Sequence, residues 1–129
     1  MKLQKLISKL EKHHKKKLDL SLGRTFNLLK KLGDPQDKLK NVITVVGTNA
    51  KASMCYSLKS ILNQGGYKTN LYTSPHLLSY TERYVFEDKE INEEDLIELL
   101  TDVEKTLGDD NATLFEILTC AFLKYAENF

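Results

Sequence analysis

The sequence predicts an α/β fold, a parallel β-sheet flanked by helices, on three observations. The run Asn41-Val42-Ile43-Thr44-Val45-Val46 is short, mostly β-branched and almost wholly apolar, the pattern of a strand covered on both faces. Gly47-Thr48-Asn49 breaks that run, and a helical pattern opens at once. A second strand-like run, residues 67–73, follows that helix and is closed by Ser74-Pro75. Strand, glycine turn, helix and strand in this order make one βαβ unit, for which a right-handed crossover is expected.

The other elements follow from the chain in order. Leu3, Leu6, Ile7 and Leu10 recur at i, i+3, i+4 and i+7, one stripe of an amphipathic helix that fades at the Lys/His run of residues 12–17. Ser21 is placed to cap a second helix carrying Phe26, Leu29 and Leu32, which stops at Gly33 with Pro35 beyond. In the helix after the glycine turn, Met54, Cys55, Leu58, Ile61 and Leu62 form the inner face, and Gly65-Gly66 ends it. Residues 76–83 are irregular. Tyr84-Val85-Phe86, the acidic turn Glu87-Asp88 and Glu90-Ile91 predict a small hairpin. Asn92, with Asp95 three residues on, opens a helix bearing Leu96, Leu99, Leu100, Val103 and Leu107, ended by Gly108. Thr113 and Glu116 form a capping box for a last helix over residues 114–129. That helix is apolar on most sides and needs a sheet or a second layer to cover it.

Composition narrows the function classes. A 129-residue chain with 41% hydrophobic residues suffices for one core. No run approaches the roughly 18 apolar residues of a membrane span, and no apolar leader opens the chain. Cys55 and Cys120 lie in helical stretches, which suits a reduced, cytoplasmic protein. The net charge of +1 hides an asymmetry: residues 1–40 hold 12 Lys/Arg against 4 Asp/Glu, a net of +8, and the remainder carries −7. Such a start suits a polyanion. No aromatic residue interleaves the lysine run to stack on bases, so a solvated helix face is the simpler reading. Attraction of an anionic substrate is an intermediate one.

The glycine turn is the feature with most chemistry. Residues 46–53, Val-Gly-Thr-Asn-Ala-Lys-Ala-Ser, stand between a buried-strand pattern and a helix, where a P-loop holds phosphate by backbone N–H groups and the helix dipole. In such a loop Gly47, Thr48, Asn49, Ala50, Lys51, Ala52 and Ser53 bind nucleotide; Lys51 reaches the β- and γ-phosphates and the Ser53 hydroxyl meets Mg²⁺. The competing reading is an ordinary strand-to-helix turn with an exposed lysine. Ala50 stands where such loops carry glycine. If that backbone needs φ > 0, alanine there costs roughly 1–2 kcal/mol.

These residues resemble a known family. Gly47-Thr48-Asn49-x-Lys51-x-Ser53 resembles the loop of the Mur-ligase superfamily, and Thr73-Ser74-Pro75-His76-Leu77 with Glu82-Arg83 is similar to its folylpolyglutamate and dihydrofolate synthase branch. Asp19-Leu20-Ser21-Leu22-Gly23-Arg24, Gly65-Gly66-Tyr67-Lys68 and Thr113-Leu114-Phe115-Glu116 agree with it. The resemblance implies an N-terminal helical segment with a substrate loop over residues 1–40. It also implies an incomplete P-loop ATP-binding domain over 41–129, the front of a truncated ligase.

It implies a reaction as well: Mg-ATP phosphorylates the carboxylate of dihydropteroate or a folate, and L-glutamate attacks the acyl phosphate. Lys51, His76 and Arg83 would then be catalytic, Ser53 and Ser74 Mg²⁺ ligands, and Arg24, Thr113 and Phe115 substrate contacts. The residues alone read differently at some positions. His76 serves equally as a turn histidine; Thr113 reads first as a cap, Phe115 as core and Arg24 as a surface residue.

The resemblance places a metal-binding glutamate, a glycine-rich turn, a modified lysine and a C-terminal domain outside these 129 residues, and so implies that the piece is inactive by itself. The whole enzyme would be a cytoplasmic monomer acting on small molecules, not on nucleic acid or membrane. Two other classes remain open: a non-catalytic nucleotide- or anion-binding remnant, and a nucleic-acid module using the lysine-rich start. Within the superfamily a peptidoglycan-precursor ligase is the rival, against which the Ser-Pro-His-Leu segment decides. The incomplete cover of the last helix predicts marginal stability or aggregation in isolation.

Overall fold

The computed structural model of the chain describes residues 2–14 and 21–129. Part of the lysine run and of the expected substrate loop, Asp19 and Leu20 included, lie outside the described residues. The elements are α1 (Leu3–His13), α2 (Gly23–Lys31), a 3₁₀ turn (Pro35–Lys38), α3 (Lys51–Gln64), β1 (Asn70–Tyr72), a second 3₁₀ turn (Tyr80–Arg83), β2 (Tyr84–Phe86), β3 (Lys89–Glu90), α4 (Glu93–Leu107) and α5 (Leu114–Ala126). The chain forms two compact units. Unit one is Met1–Leu39 with Glu93–Asn128; unit two is Lys40–Asn92 with Phe129.

Unit one is a helical bundle whose apolar stripes meet. All four stripe residues of α1 are buried, as are Leu96, Leu99, Leu100, Val103 and Leu107 of α4. Each fully buried leucine contributes about 1.5–3 kcal/mol of transfer free energy. α5 packs against α1, α2, α4 and the first 3₁₀ turn. Within unit one, helices supply the layer that the sequence demands over α5, and Ile117, Leu118, Cys120, Ala121 and Phe122 are buried. Phe115 is a correction: it is 55% exposed, not core, since it stands in the first turn of α5, one turn before Leu118, the first buried residue on its own stripe.

The helix ends follow local chemistry. α2 begins at Gly23 after Leu22, with no side-chain cap bond, so the predicted Ser21 cap does not set its start. Its C-terminus is a Schellman motif: Gly33, at φ 86°, donates to the Lys30 carbonyl at 3.1 Å and Asp34 to that of Leu29 at 2.9 Å. The charge asymmetry finds its explanation here. Lys9 pairs with Glu104 at 2.9 Å, Lys31 with Asp110 and Lys38 with Glu127 at 2.8 Å, so the basic start lies on the acidic C-terminal helices. Pairs this exposed each add little stability, about 0–1 kcal/mol, but they favour this pairing of segments over others.

Unit two holds the only sheet among the described residues, three antiparallel strands in the order β1-β2-β3. Asn70, Leu71 and Tyr72 pair with Phe86, Val85 and Tyr84; Val85 and Phe86 pair with Glu90 and Lys89. The predicted hairpin is present. Glu87 (φ 45°) and Asp88 (φ 71°) form its two-residue turn, and left-handed values at both positions mark a type I′ turn. Their side chains hold the strained backbone: Asp88 takes Lys59 and Asn63 of α3, and Glu87 pairs with Lys68 at 3.2 Å.

The described residues show no parallel sheet. Asn41 is a bend at φ 56°, residues 42–46 belong to no regular element and pair with no strand, and Val42, Ile43 and Val46 are exposed, Val46 by 84%. A strand exists only through its partners' hydrogen bonds, and none lies beside this segment among the described residues. No βαβ unit is present among the described residues either, since residues 41–46, its expected first strand, enter no pairing. The inner face assigned to α3 is likewise uncovered: the helix has no buried residue, and Ile61 is 67% exposed. Its end is as predicted. Gly66, at φ 85°, donates to Asn63 and Tyr67 to Leu62, both at 3.0 Å, another Schellman motif.

Candidate functional site

In unit two, the glycine turn runs directly into the start of α3. The first backbone bond of the helix runs from Met54 N–H to the Ala50 carbonyl at 3.0 Å. The amides of Lys51, Ala52 and Ser53 precede it and face out of the N-terminus, where the helix dipole is positive. Gly47, Thr48, Asn49, Ala50, Lys51, Ala52 and Ser53 are all exposed. The Lys51 stem folds back over the turn, its Cγ 3.9 Å from where a Cβ on Gly47 would stand. A lysine lying over free helical amides suits a phosphate group. Ala50 is in the left-handed region, φ 58° and ψ 10°; the condition under which alanine is strained is met.

Ser74 lies two residues beyond β1 and is exposed, as is Ser53. The described residues contain no group of three His, Cys, Asp or Glu side chains able to hold a metal ion. Two hydroxyls alone do not make a Mg²⁺ site, which leans on carboxylates, phosphates and water. The residues present therefore fit a nucleotide but not an independent divalent ion.

The loop after β1 brings His76 and Arg83 together. Thr73 N–H donates to the Arg83 carbonyl at 3.3 Å and closes the loop. Arg83 Nε donates to His76 Nδ1 at 2.9 Å. The Tyr80 ring stacks obliquely on His76 at 4.2 Å and lies 4.9 Å beneath the Arg83 guanidinium. Glu82 accepts the backbone N–H groups of Leu77, Leu78 and Ser79 at 2.8, 2.7 and 2.7 Å. Those bonds, that from Leu77 foremost, hold its carboxyl below the usual glutamate value. The sequence pattern Ser79-x-x-Glu82 carried this signal, since it is the capping-box spacing; Tyr80 carried none.

In unit one, Arg24 and Thr113 meet through Glu116. Arg24 grips the Glu116 carboxylate with two bonds, Nε to Oε2 at 3.2 Å and a terminal nitrogen to Oε1 at 2.8 Å. Thr113 N–H donates to the same carboxylate at 2.7 Å, and the Thr113 hydroxyl accepts from Glu116 N–H at 3.2 Å. The reading of Arg24 as a surface residue is corrected: both side chains of the pair are only 13% exposed. Burial pushes the Glu116 carboxyl up, but the bonds from Arg24 and Thr113 outweigh it and leave it lowered. Phe115 projects from this braced first turn. The larger concavity of unit one, about 640 Å³ and lined by Leu32, Leu99, Val103 and Tyr125 among others, contains none of the predicted site residues. No described helix is long and apolar enough to cross a membrane.

No family model matches the chain. It is 38% identical over 117 residues to the dihydrofolate synthase/folylpolyglutamate synthase of Escherichia coli K12, covering 91% of this chain and 28% of that protein. Among solved structures, E. coli FolC in complex with DHPP and ADP aligns with a TM-score of 0.91 at 36% identity, over 99% of this chain and 31% of that one. A bifunctional folylpolyglutamate synthase/dihydrofolate synthase with Mn, AMPPNP and L-glutamate bound aligns at 0.89 and 31% identity, over 98% of this chain and 30% of that one. The resemblance read from the motifs is borne out: the relatives are folate-related synthases. The chain spans about 28% of the length of the first relative.

Proposed function

We propose that this chain, a relative of the dihydrofolate and folylpolyglutamate synthases, supplies nucleotide- and substrate-binding parts of an ATP-dependent ligase joining L-glutamate to dihydropteroate or a folate. The observation that carries the reading is the start of α3: three outward-facing amides with Lys51 folded over the exposed glycine turn. ATP, when bound, supplies the phosphoryl group that activates the substrate carboxylate as an acyl phosphate. Lys51 and the backbone of residues 47–53 hold its phosphates and neutralise their charge, positioning being most of what a protein contributes to phosphoryl transfer. Ser53 and Ser74 present hydroxyls to the divalent ion that the nucleotide carries. His76 and Arg83 stand in the adjacent loop. Thr113 and Phe115 offer a capped helix start and an exposed ring to the pterin, with Arg24 holding that turn through Glu116.

With no carboxylate cluster for the metal among the described residues, we expect the chain alone to bind nucleotide without turnover. A second reading is a purely nucleotide- or anion-binding protein, favoured by the strain at Ala50. Calorimetric titration of Mg-ATP tests the first step: binding to the native chain and its loss in Lys51→Ala supports the site, while equal heats in both overturn it. Phosphate release that depends on dihydropteroate or a folate together with L-glutamate separates the two readings.

A further inference from the structure

We propose that Glu82 is a positioning residue which, with Arg83, presents His76 as a hydrogen-bond donor through Nε2 and not as a base. Its carboxylate gathers three successive amides, those of Leu77, Leu78 and Ser79, at 2.7–2.8 Å. Three N–H groups converging on one anion form a closed nest, and charge-assisted bonds of this length are the strong ones. The brace matters because the segment has no apolar anchor: Leu77 and Leu78 are 93% and 94% exposed. Ser79 adds to it, its hydroxyl accepting Thr81 N–H at 3.3 Å, and the Thr81 hydroxyl in turn contacts Glu90 on β3. Polar bonds thus tie the loop tip to the hairpin.

This brace sets the state of His76. A guanidinium only donates, so the Nδ1 that takes Arg83 Nε carries no proton. In the neutral ring the proton is then on Nε2. Nδ1 is occupied, Nε2 is a donor, and no basic lone pair is left free. Tyr80 fixes the plane of the ring from one side and meets the guanidinium with the same face-on surface. The group His76 suits is an anionic oxygen, of a phosphate or a carboxylate. On the ligase reading, on which this role rests, His76 would steady a phosphoryl oxygen and would not take a proton from the attacking amine. Arg83 acts through His76.

Nitrogen and amide NMR of the 129-residue chain at about pH 8, above the usual histidine range, tests this without any ligand. The native chain should show His76 with an unprotonated Nδ1 and a protonated Nε2. Arg83→Met should give mixed tautomers. Glu82→Gln should speed hydrogen exchange at Leu77, Leu78 and Ser79 by at least about tenfold, disturb the His76 tautomer ratio, and leave the β1–β2 amides unchanged. Glu82→Asp, which keeps the charge with a shorter reach, should fall between; if Glu82→Gln fails to fold, this variant decides by the same readouts. A native Nδ1–H tautomer, an unaltered tautomer in Arg83→Met, or unaltered loop exchange in the Glu82 variant overturns the proposal. A failed Mg-ATP titration would instead sink the nucleotide reading and leave these signals untouched, so the two failures are distinct.

Discussion

Helices α4 and α3 are of nearly equal length, 15 and 14 residues, yet five residues of α4 are buried and none of α3. Both end at glycine and both carry apolar residues on one side. The difference lies in what stands opposite. α4 has α1, α2 and α5 against it. α3 is tied to its own unit mainly at its polar side, where Lys59 and Asn63 hold Asp88 of the hairpin turn. An isolated helix of this length is marginal in water. Unit one is therefore held by the larger core, and unit two by a small sheet that buries Leu71, Tyr84, Phe86 and Ile91, with caps and polar ties, and its glycine turn is exposed.

The sharpest way to break this contrast is through the two cysteines, one in each unit. Cys120 is buried, and burial with Glu116 nearby pushes its thiol up to about 12. Since the thiolate is the reactive form, iodoacetamide should modify Cys120 at least about a hundredfold more slowly than the partly exposed Cys55. Urea should erase the difference. Similar rates in the folded chain would show that unit one is open.

Core truncation comes next. Leu100→Ala removes a fully buried side chain of α4 and should lower stability by about 2–5 kcal/mol in urea unfolding. Ile61→Ala on α3 should change it by no more than about 0.5 kcal/mol. A large loss at Ile61 would mean that α3 is covered in solution, by a second copy or by another chain segment.

The ion pair at the start of α5 is a smaller effect with a pH signature. Glu116→Gln weakens bonds to a charged partner and should cost about 1.5–3 kcal/mol near neutrality. The Glu116 carboxyl is lowered on folding, so its stabilisation is full above the unfolded value and fades as pH falls through the folded one. The native chain should lose this advantage over the variant in acid. A constant difference from neutral pH to the acid limit would refute the assignment.

The smallest change sharpens the picture of unit two. Ala50→Gly relieves a left-handed alanine, worth roughly 1–2 kcal/mol, against the roughly 0.5–1 kcal/mol that glycine loses in chain entropy. A net gain of up to about 1.5 kcal/mol and tighter Mg-ATP binding are expected; equal calorimetric affinity for the two forms would remove Ala50 from the account of the site.

Much of this was legible because it is local. The stripes of α1 and α4, the Thr113–Glu116 capping box, the glycine stops and the two-residue hairpin all depend on residues within one or two turns of one another. The glycine turn was legible for the same reason, its lysine and serine following at fixed short spacings. Arg24 was not, since its partner Glu116 lies 92 residues away, nor was the exposure of Phe115, which depends on how far along its stripe the packing of α5 reaches. Segment 41–46 misled for a related reason: apolar β-branched sequence states a preference for burial but cannot supply the neighbouring strand.

The sequence by itself determined the helices, the capping box of α5, the glycine stops, the hairpin, and the glycine-turn and Ser-Pro-His motifs, because each rests on short-range periodicity and backbone chemistry. Only the tertiary structure decided that residues 93–128 join the N-terminal helices, that helices supply the layer over α5 within unit one, and that basic and acidic segments pair. Those choices are made by burial and charge between residues far apart in the chain, which no local pattern records.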